Sequence, residues 1–434
     1  MIAPLTPNTQ AILLLTAPLI AGRSDASLEL LTLGEYNRLA RLLREGQKQP
    51  ADLIGPDATD AIALVAAAFG RPRLESLLGR GFLLSQAIDR WGARAIWVVS
   101  RADATYPQRI KARLKEGAPP VLYGCGEASL LDTGGLAIVG SRQVDAELIG
   151  YTENVGRLAA ESRRTVVSGG AKGIDRAAMR GALQAGGIVV GVLSDSLEPA
   201  ALARDNREPL MAHRLAFISP YDPAAGFNVG HAMQRNKVIY ALADAALVVT
   251  SDFEKGGTWA GAIEQLERLH FVPVFVHNGV KAAQGNAALL QRGARPWPNP
   301  QDPAEFCAAL AAASAAVAAE PKQETLSFAL REQTAAYHAA QEAKPVEPSG
   351  SATDAAQLAG TLSPADELFR AVREILKREL REARSQAEVV ALLGVAKSQA
   401  KEWLTRLVAE GTLEKVSKPT PLRYRVLSAS DRLL

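Results

Sequence analysis

The segment Thr165–Gly181, TVVSGGAKGIDRAAMRG, is the stretch that decides the fold of this chain. A β-branched run at 165–167 leads into the turn Ser168–Ala171, and a helical pattern follows from about Ile174. Glycines at the carboxyl end of a strand let the backbone approach a ligand, and the next helix offers unpaired N–H groups. The pattern is neither the Rossmann glycine fingerprint nor a Walker A loop. Alone, it predicts a tight strand-to-helix turn with or without an anionic ligand.

Two further glycine turns follow the same plan. Upstream, the apolar strand 136–139 ends in Gly140-Ser141-Arg142, and a helical pattern begins near Asp145. Downstream, the sequence QRNK at 234–237 lies on a predicted helix, a strand covers 246–250, and KGGT at 255–258 opens another helix. Each glycine turn therefore joins the end of a strand to the start of a helix.

Strands and helices alternate from Gly135 to about Asn278. The predicted strands lie near 136–140, 165–168, 188–193, 215–219, 246–250 and 272–276. Continuous apolar runs of this kind fit parallel strands that are buried on both faces. The fold class is therefore α/β, a Rossmann-like doubly wound parallel sheet. Ligands of such sheets collect at the strand carboxyl ends, so the glycine turns predict one crevice.

Composition sets broad limits on the function. The 434 residues carry a formal net charge of +3 and only two cysteines, Cys125 and Cys307. They give no disulfide framework and no metal-ligand spacing, so we expect a reducing cytoplasm, no metal and no cofactor. The apolar stretch 11–22 has no basic residues before it, contains Pro18 and is too short to span a bilayer. It is predicted to be a buried helix, and no membrane partner is expected.

The chain is predicted to divide into four segments. Residues 1–100 form an N-terminal helical domain, and 101–300 form the Rossmann-like domain. Residues 301–362 combine an Ala-rich segment with a flexible linker that includes KPVEPSGS. Residues 363–434 form a C-terminal winged helix-turn-helix, in which 14 Lys/Arg face 10 Asp/Glu for a local net charge of +4. A basic tail on a near-neutral body favours contact with a polyanion.

The predicted winged helix offers a second candidate surface. Its third helix is expected over Ala396–Glu410, with a two-stranded wing after it. The candidate DNA contacts are Lys397, Ser398, Lys401, Lys415, Lys418 and Arg423, with Arg425 beside them on the wing. A recognition helix and wing of this kind would meet the grooves of duplex DNA. Winged helices also serve as protein–protein modules, so a partner or dimer contact is the alternative.

Together these motifs resemble the SMF/DprA family of DNA-processing proteins. The resemblance rests on GSR, SGGAKGID, QRNK and KGGT, and on a D-x-x-YP segment at Asp103–Pro107 followed by PPVLY at Pro119–Tyr123. It implies a Rossmann-like domain that binds single-stranded DNA, RecA loading, protection of DNA in natural transformation, and a homodimer. Members of the wider family also occur in anti-phage defence, some as the antitoxin partner of a toxin enzyme.

Three departures make this a divergent member. Ala178-Met179 stands where the family has Ala-His, and Arg235-Asn236-Lys237 stands for R-N-R. Gly256-Gly257-Thr258 begins the segment that corresponds to S-G-S-x-x-T. A divergent core with a retained winged helix is compatible with an antitoxin-like regulator.

The candidate phosphate-binding residues come from all the glycine turns and from the QRNK helix. They are Gly140, Ser141, Arg142, Ser168, Gly169, Gly170, Lys172, Arg235, Asn236, Lys237, Gly256, Gly257 and Thr258. Side-chain cations, hydroxyls and backbone amides of this kind bind phosphate and sugar with little sequence preference. Asn236 has two interpretations, contact with a base or capping of local backbone. Asp175 is interpreted as a structural carboxylate near a helix start, with a catalytic base as the alternative.

An enzyme is the competing class. Gly256-Gly257-Thr258 followed by Glu264 distantly resembles the P-G-G-x-G-T-x-x-E motif of the LOG-type nucleotide phosphoribohydrolases, in which a glutamate and an arginine cleave an N-glycosidic bond. The proline is absent and Glu264 is displaced by one position. We therefore expect a non-enzymatic protein that binds single-stranded DNA in DNA processing, recombination or defence. The alternatives are an antitoxin-like regulator that binds a toxin and DNA, and a phosphoribohydrolase.

Overall fold

The computed structural model describes residues 4–20, 29–56, 58–226, 228–279, 283–319, 373–380, 383–393, 403–404, 407–408, 412–416 and 423–426. The chain forms two compact units, Met1–Ala329 and Leu330–Leu434. The predicted segment boundaries at 100, 300 and 362 stay predictions, and 362 lies outside the described residues.

A nine-stranded sheet runs through the first unit. Its strands are β1 (Trp97–Ser100), β2 (Val121–Gly126), β3 (Leu136–Gly140), β4 (Val166–Ser168), β5 (Val189–Val192), β6 (Leu215–Ser219), β7 (Ala245–Thr250), β8 (Val274–Val276) and β9 (Arg295–Pro296). Their order across the sheet is β1-β2-β6-β5-β4-β3-β7-β8-β9. The strands from β6 to β9 are parallel, whereas β2 pairs antiparallel with β6 and β1 antiparallel with β2. The predicted Rossmann-like sheet is confirmed, and all six predicted strands are present.

The order of strands reverses at β3. The chain moves from β3 to β4, β5 and β6 on one side, and then returns to place β7 on the other side of β3. In open α/β sheets the connecting helices leave a crevice at such a switch point, outside the strand carboxyl ends.

Helices lie between the strands of the sheet and after β9. They are α6 (Gln108–Leu114), α7 (Ala146–Glu161), α8 (Ile174–Gln184), α9 (Leu197–Leu202), α10 (Arg204–Met211), α11 (Val229–Leu242), α12 (Gly256–Glu264), α13 (Gln284–Gln291) and α14 (Pro303–Ala319). Asp145 caps α7 by accepting from the amide of Leu148, and Asn228 caps α11 by accepting from the amide of His231. A π-helical turn, Gln265–Leu269, extends α12.

Alternating strand residues supply two separate cores. Leu136 and Ile138 of β3 belong to the core on one face of the sheet, and Ala137 and Val139 belong to the core on the other. Because both faces are covered, the strands are apolar throughout, which explains the continuous hydrophobic runs. The sheet thereby fixes the positions of the loops at its carboxyl edge.

The N-terminal region is helical, as predicted. Its helices are α1 (Pro7–Thr16), α2 (Leu33–Glu45), α3 (Ala58–Phe69), α4 (Arg71–Leu78) and α5 (Gly81–Gly92). The apolar stretch expected at 11–22 is the buried α1, which begins earlier, at Pro7, and ends before Pro18. Thr6 caps α1, and the fixed φ of Pro7 suits the first helical position. Residues of α1 and α5 share one core with the sheet.

The D-x-x-YP segment has a structural role. The Tyr106 side chain is buried, and its hydroxyl donates to the carbonyl of Pro119 at 2.9 Å. Asp103 accepts hydrogen bonds from Thr6, Thr9 and the amide of Ser100. These contacts attach the loop after β1 to α1 and to the loop before β2.

The described residues of the second unit include the predicted wing. Strands β10 (Arg384–Ser385), β12 (Arg423–Val426) and β11 (Leu413–Val416) form a three-stranded antiparallel sheet in that order. A helix at 373–379 and α15 (Gln386–Leu393) precede the wing strands. Most of the predicted third helix, 396–410, lies outside the described residues. None of the helices in the described ranges has the length and apolar character that a bilayer crossing needs.

Candidate nucleic-acid interface

The crevice lies at the switch point, where β3 and β7 end beside each other. It has a volume of about 770 Å³. Its lining includes Gly140–Gln143 after β3, Ala171 and Asp175 after β4, and the segment from Lys255 to Ala260 at the start of α12. Helix α11 closes one side with Arg235 and Asn236. From the predicted motifs the crevice lining thus includes Gly140–Arg142, Ala171, Arg235, Asn236 and Lys255–Thr258.

Two hydrogen bonds join the GSR turn to its neighbours, one to the end of β7 and one to the KGGT segment. The Ser141 amide donates to the carbonyl of Thr250 at 3.1 Å, and the Thr258 hydroxyl donates to the carbonyl of Gly140 at 3.0 Å. The adjacent Arg142 is exposed and lines the crevice. The carbonyl of Gly140 and the amide of Ser141 are therefore both fixed by hydrogen bonds, and the exposed Arg142 follows them.

Gly169 and Gly173 allow the close approach of three segments. A Cβ on Gly169 would collide with Nη1 of Arg235 and Oδ2 of Asp175. Gly173 has φ of 83° and lies against the carbonyls of Ser141 and Arg142, where a Cβ would come within 2.6 and 2.7 Å. Only glycine combines that backbone conformation with that contact.

Asp175 is buried at the centre of the crevice floor. Backbone hydrogen bonds from Ala171, Gly140 and Gly169 and the charge of Arg235 favour its ionised form. Burial outweighs them and raises the pKa of Asp175 to about 6. The carboxyl group therefore connects the turns after β3 and β4, which supports the structural interpretation of this residue.

Arg235 faces Asp175 from helix α11. Its side chain is 5% exposed, and burial lowers the pKa of the guanidinium while Asp175 raises it. Within the described part of the chain Arg235 forms no direct hydrogen bond or ion pair, and its Nε is buried without a partner. The guanidinium is thus a desolvated cation that lines the crevice.

Asn236 holds α11 to the start of α12. Its Nδ2 donates to the carbonyl of Gly257 at 2.9 Å. Of the two interpretations drawn from the sequence, the geometry supports capping of backbone. Gly256 has φ of 79° and begins α12, with Lys255 exposed beside it.

Five predicted site residues lie outside the crevice lining: Ser168, Gly169, Gly170, Lys172 and Lys237. Ser168 is buried and donates to the carbonyl of Ile138 at 2.6 Å, so it joins β4 to β3. Gly170 has φ of 66° and serves the turn before α8, and Lys172 is exposed there. Lys237 forms an ion pair with Glu264, Nζ to Oε1, at 3.1 Å.

The crevice also contains groups that were not selected from the sequence. Asp252 and Glu254 line its mouth, and Met233 and Trp259 add apolar surface. Phe253 packs edge-on against Trp259, with 5.3 Å between ring centroids. The acidic residues are visible beside Lys255 in the sequence SDFEKGG, but only the fold brings them into the same crevice as Arg142.

The candidate contacts of the winged helix are only partly described. Lys415 lies in β11 and Arg423 begins β12. Arg425 forms an ion pair with Glu414 on the neighbouring strand. Lys397, Ser398, Lys401 and Lys418 lie outside the described residues. Among the residues that the structure does describe, no group of three or more His, Cys, Asp or Glu side chains could hold a metal ion.

The fold and the crevice define a Rossmann-like α/β protein with cations and helix-opening glycine turns at its switch point. A family model described as DNA recombination-mediator protein A matches residues 97–308. The putative DNA processing protein DprA of Mycobacterium tuberculosis is 31% identical over 244 residues, which cover 54% of this chain and 59% of that protein. The DNA processing protein DprA of Streptococcus pneumoniae is 30% identical over 188 residues, 43% of this chain and 66% of that protein.

Through this central region the chain belongs to the DprA/Smf family. It spans less than two thirds of the length of these two relatives. Among solved structures, DprA of Helicobacter pylori, whose single-stranded DNA binding mode has been described, has a TM-score of 0.40 and 24% identity. That similarity covers 50% of this chain and 96% of the H. pylori chain.

Proposed function

We propose that this protein binds single-stranded DNA in the crevice at the β3/β7 switch point and acts, without catalysis, in DNA processing. The observation that carries the proposal is the convergence of Arg142, Arg235 and Lys255 with the glycine turns that open helices at one sheet edge. Membership of the DprA/Smf family supports the same function.

The chemistry of the crevice favours binding to the sugar–phosphate chain over the reading of bases. Arginine presents a planar set of donors that fits phosphate, and the amides at the start of α12 add donors at the positive end of a helix dipole. Most hydrogen bonds between proteins and DNA go to phosphate and sugar, which carry no sequence information. Low sequence preference is therefore expected.

The position of Glu264 argues against the phosphoribohydrolase alternative. Its Oε1 accepts from Lys237 at 3.1 Å and from Arg268 at 3.2 Å. It does not belong to the crevice lining, whereas a catalytic carboxylate must be held close to the bond that it cleaves. Non-enzymatic binding remains the better account of this site.

The winged helix is proposed as a second, duplex-binding surface. Strands β11 and β12 carry Lys415, Arg423 and Arg425, although Glu414 pairs with Arg425 and reduces the local charge. Contact with a protein partner is the alternative role of this winged helix. The predicted partners are RecA, a cognate toxin and a second copy of the chain. The roles in transformation and defence also stay predictions.

The proposal is tested by binding of a fluorescent single-stranded oligonucleotide over a salt series. Wild type is expected to bind with an affinity that falls steeply with salt, because phosphate contacts release counterions. Arg142→Ala is expected to weaken binding about tenfold or more, since a hydrogen bond to a charged group contributes about 1.5–3 kcal/mol. Arg207→Ala, an exposed position on α10, is the matched control and should bind like wild type. Wild type that fails to bind would refute the proposal.

A further inference from the structure

This inference rests on the proposed function and concerns how helix α11 is held beside the crevice. We propose that Tyr221, in the loop after β6, is a positioning residue for DNA binding, which fixes the amino-terminal half of α11 through its contact with His231. Both residues lie outside the crevice lining, whereas the next two residues of the helix, Ala232 and Met233, belong to it. The pair therefore acts on bound DNA through the helix.

The two halves of α11 are packed differently. In the carboxyl-terminal half, Val238–Leu242 are buried. In the amino-terminal half, none of the described residues from Gly230 to Gln234 is buried. Glycine at position 230 adds an entropic cost to helix formation. Segments with few buried apolar contacts open most readily, so the half that carries the crevice residues needs support from outside the helix.

Tyr221 supplies that support through two contacts. Its ring stacks on the imidazole of His231, with 3.7 Å between the ring centroids and 10° between the ring planes. Its hydroxyl donates to the backbone carbonyl of His231 at 3.3 Å. The side chain of Asn228 accepts from the amide of the same histidine at 3.2 Å. His231 is thus held at its ring, its carbonyl and its amide.

The backbone around Tyr221 is itself fixed. Its amide donates to Oγ of Ser219, the buried last residue of β6, at 3.1 Å. The buried carboxylate of Asp222 accepts from the amides of Ile20 at 3.1 Å and Ala224 at 2.9 Å. The loop is therefore joined to the sheet and to the N-terminal region, and the Tyr221 ring transmits that fixed position to α11.

The stack lies one helical turn before Arg235. Side chains at positions i and i+4 lie on the same side of a helix. Burial raises the pKa of Tyr221 to about 12 and the charge of Arg235 opposes this rise, so the two side chains lie near each other. Because Arg235 lines the crevice, a looser helix at this point should weaken DNA binding, which is tighter when the binding groups are already in place.

A double-mutant cycle measures the contribution to DNA affinity. Tyr221→Leu and His231→Ala are each expected to weaken binding of a single-stranded oligonucleotide about two- to tenfold, in line with the loss of one aromatic contact. The double variant should bind no more weakly than the weaker single variant, because both substitutions remove the same contact. Tyr221→Phe keeps the stack and should retain most of the affinity. Losses that multiply in the double variant would show two independent contacts and overturn the inference.

Amide hydrogen exchange of the DNA-free protein gives a readout that does not depend on DNA. Tyr221→Leu should speed exchange at residues 232–235 about two- to tenfold and leave Val238–Leu242 unchanged. Phe82→Leu, at a 75% exposed position on α5, is the matched control and should change neither exchange nor affinity. Exchange that is unchanged, or that rises equally in both halves of α11, would overturn the positioning role. If wild type binds no oligonucleotide, the proposed function fails, and exchange alone decides whether Tyr221 holds the helix.

Discussion

Lys237 Nζ lies 3.1 Å from Oε1 of Glu264, so the last residue of the Arg-Asn-Lys triplet joins helix α11 to helix α12. Arg268 shares the same carboxylate oxygen at 3.2 Å. Lys237 was predicted to bind phosphate, and Glu264 is the glutamate of the enzyme alternative. Both lie outside the crevice lining, and their ion pair has a structural role.

Lys237→Ala should therefore leave affinity for single-stranded DNA within about twofold of wild type. Its effect on the free energy of unfolding should be small, about 0.2–1 kcal/mol, because the pair is partly exposed. Binding titrations and denaturant melts measure the two quantities. A tenfold loss of affinity, equal to that expected for Arg142→Ala, would place Lys237 in the interface.

Glu264→Gln should not change the release of free base from nucleoside monophosphates. Glu264 is engaged by Lys237 and Arg268 outside the crevice lining, so its charge has no access to a glycosidic bond there. The measurement is chromatographic detection of free base after incubation with purified protein. Release by wild type that the substitution stops would establish the phosphoribohydrolase alternative.

Asp175 should make stability depend on pH. Burial raises its folded pKa from 3.8 to about 6, so the folded state binds the proton more tightly than the unfolded state. Its contribution to stability is full below about pH 4 and is lost as pH rises through 6. The loss is on the order of 3 kcal/mol, since one pKa unit corresponds to about 1.4 kcal/mol.

Urea unfolding at several pH values between 4 and 7 checks this dependence. Asp175→Asn should flatten it, whereas Asp145→Asn, at the exposed cap of α7, should leave it in place. An unchanged slope in Asp175→Asn would show that another group is responsible.

Gly169→Ala should destabilise the floor of the crevice. The added Cβ would meet Arg235 and Asp175, which are buried and cannot move apart freely. We expect a loss of about 1–3 kcal/mol in the free energy of unfolding, as for overpacked cores, together with weaker DNA binding.

The matched control is Gly150→Ala on α7, where a Cβ meets nothing within 4 Å. It should be neutral or stabilising by about 0.5–1 kcal/mol, because alanine favours the helix over glycine. Equal destabilisation by the two substitutions would contradict the steric explanation.

Removal of residues 345–434 should lower affinity for duplex DNA and reduce its salt dependence. The deletion takes away the wing strands with Lys415, Arg423 and Arg425. Single-stranded binding by the crevice should persist. Gel-shift titrations at several salt concentrations give both quantities, and an unchanged duplex affinity would favour the protein-contact role of the winged helix.

The sequence was sufficient to predict the sheet and the place of the crevice. Buried parallel strands are apolar on both faces, so their runs are visible without a structure, and β3 to β8 occur where expected. The glycine turns predicted the position of the crevice because the carboxyl ends of parallel strands lie at one edge of the sheet. The sequence did not show that β1 and β2 extend the sheet beyond β6, since antiparallel additions leave no mark in the α/β alternation.

The sequence motifs did not predict the directions in which individual side chains point. Successive residues on a helix point about 100° apart, so the three members of Arg235–Lys237 cannot share a target. Arg235 lines the crevice, Asn236 reaches the carbonyl of Gly257, and Lys237 reaches Glu264. Ser168 is likewise the last residue of β4, and its side chain donates to the carbonyl of Ile138 on β3.

The strand β2 also constrains how the chain can be made. Val121–Gly126 pairs with β6, so its partner Leu215–Ser219 leaves the ribosome about ninety residues later. Until then β2 carries an open edge, and an open edge is a template for pairing with other chains. During the stretch of translation between these two strands, the nascent protein therefore exposes a strand edge that a chaperone could protect from aggregation.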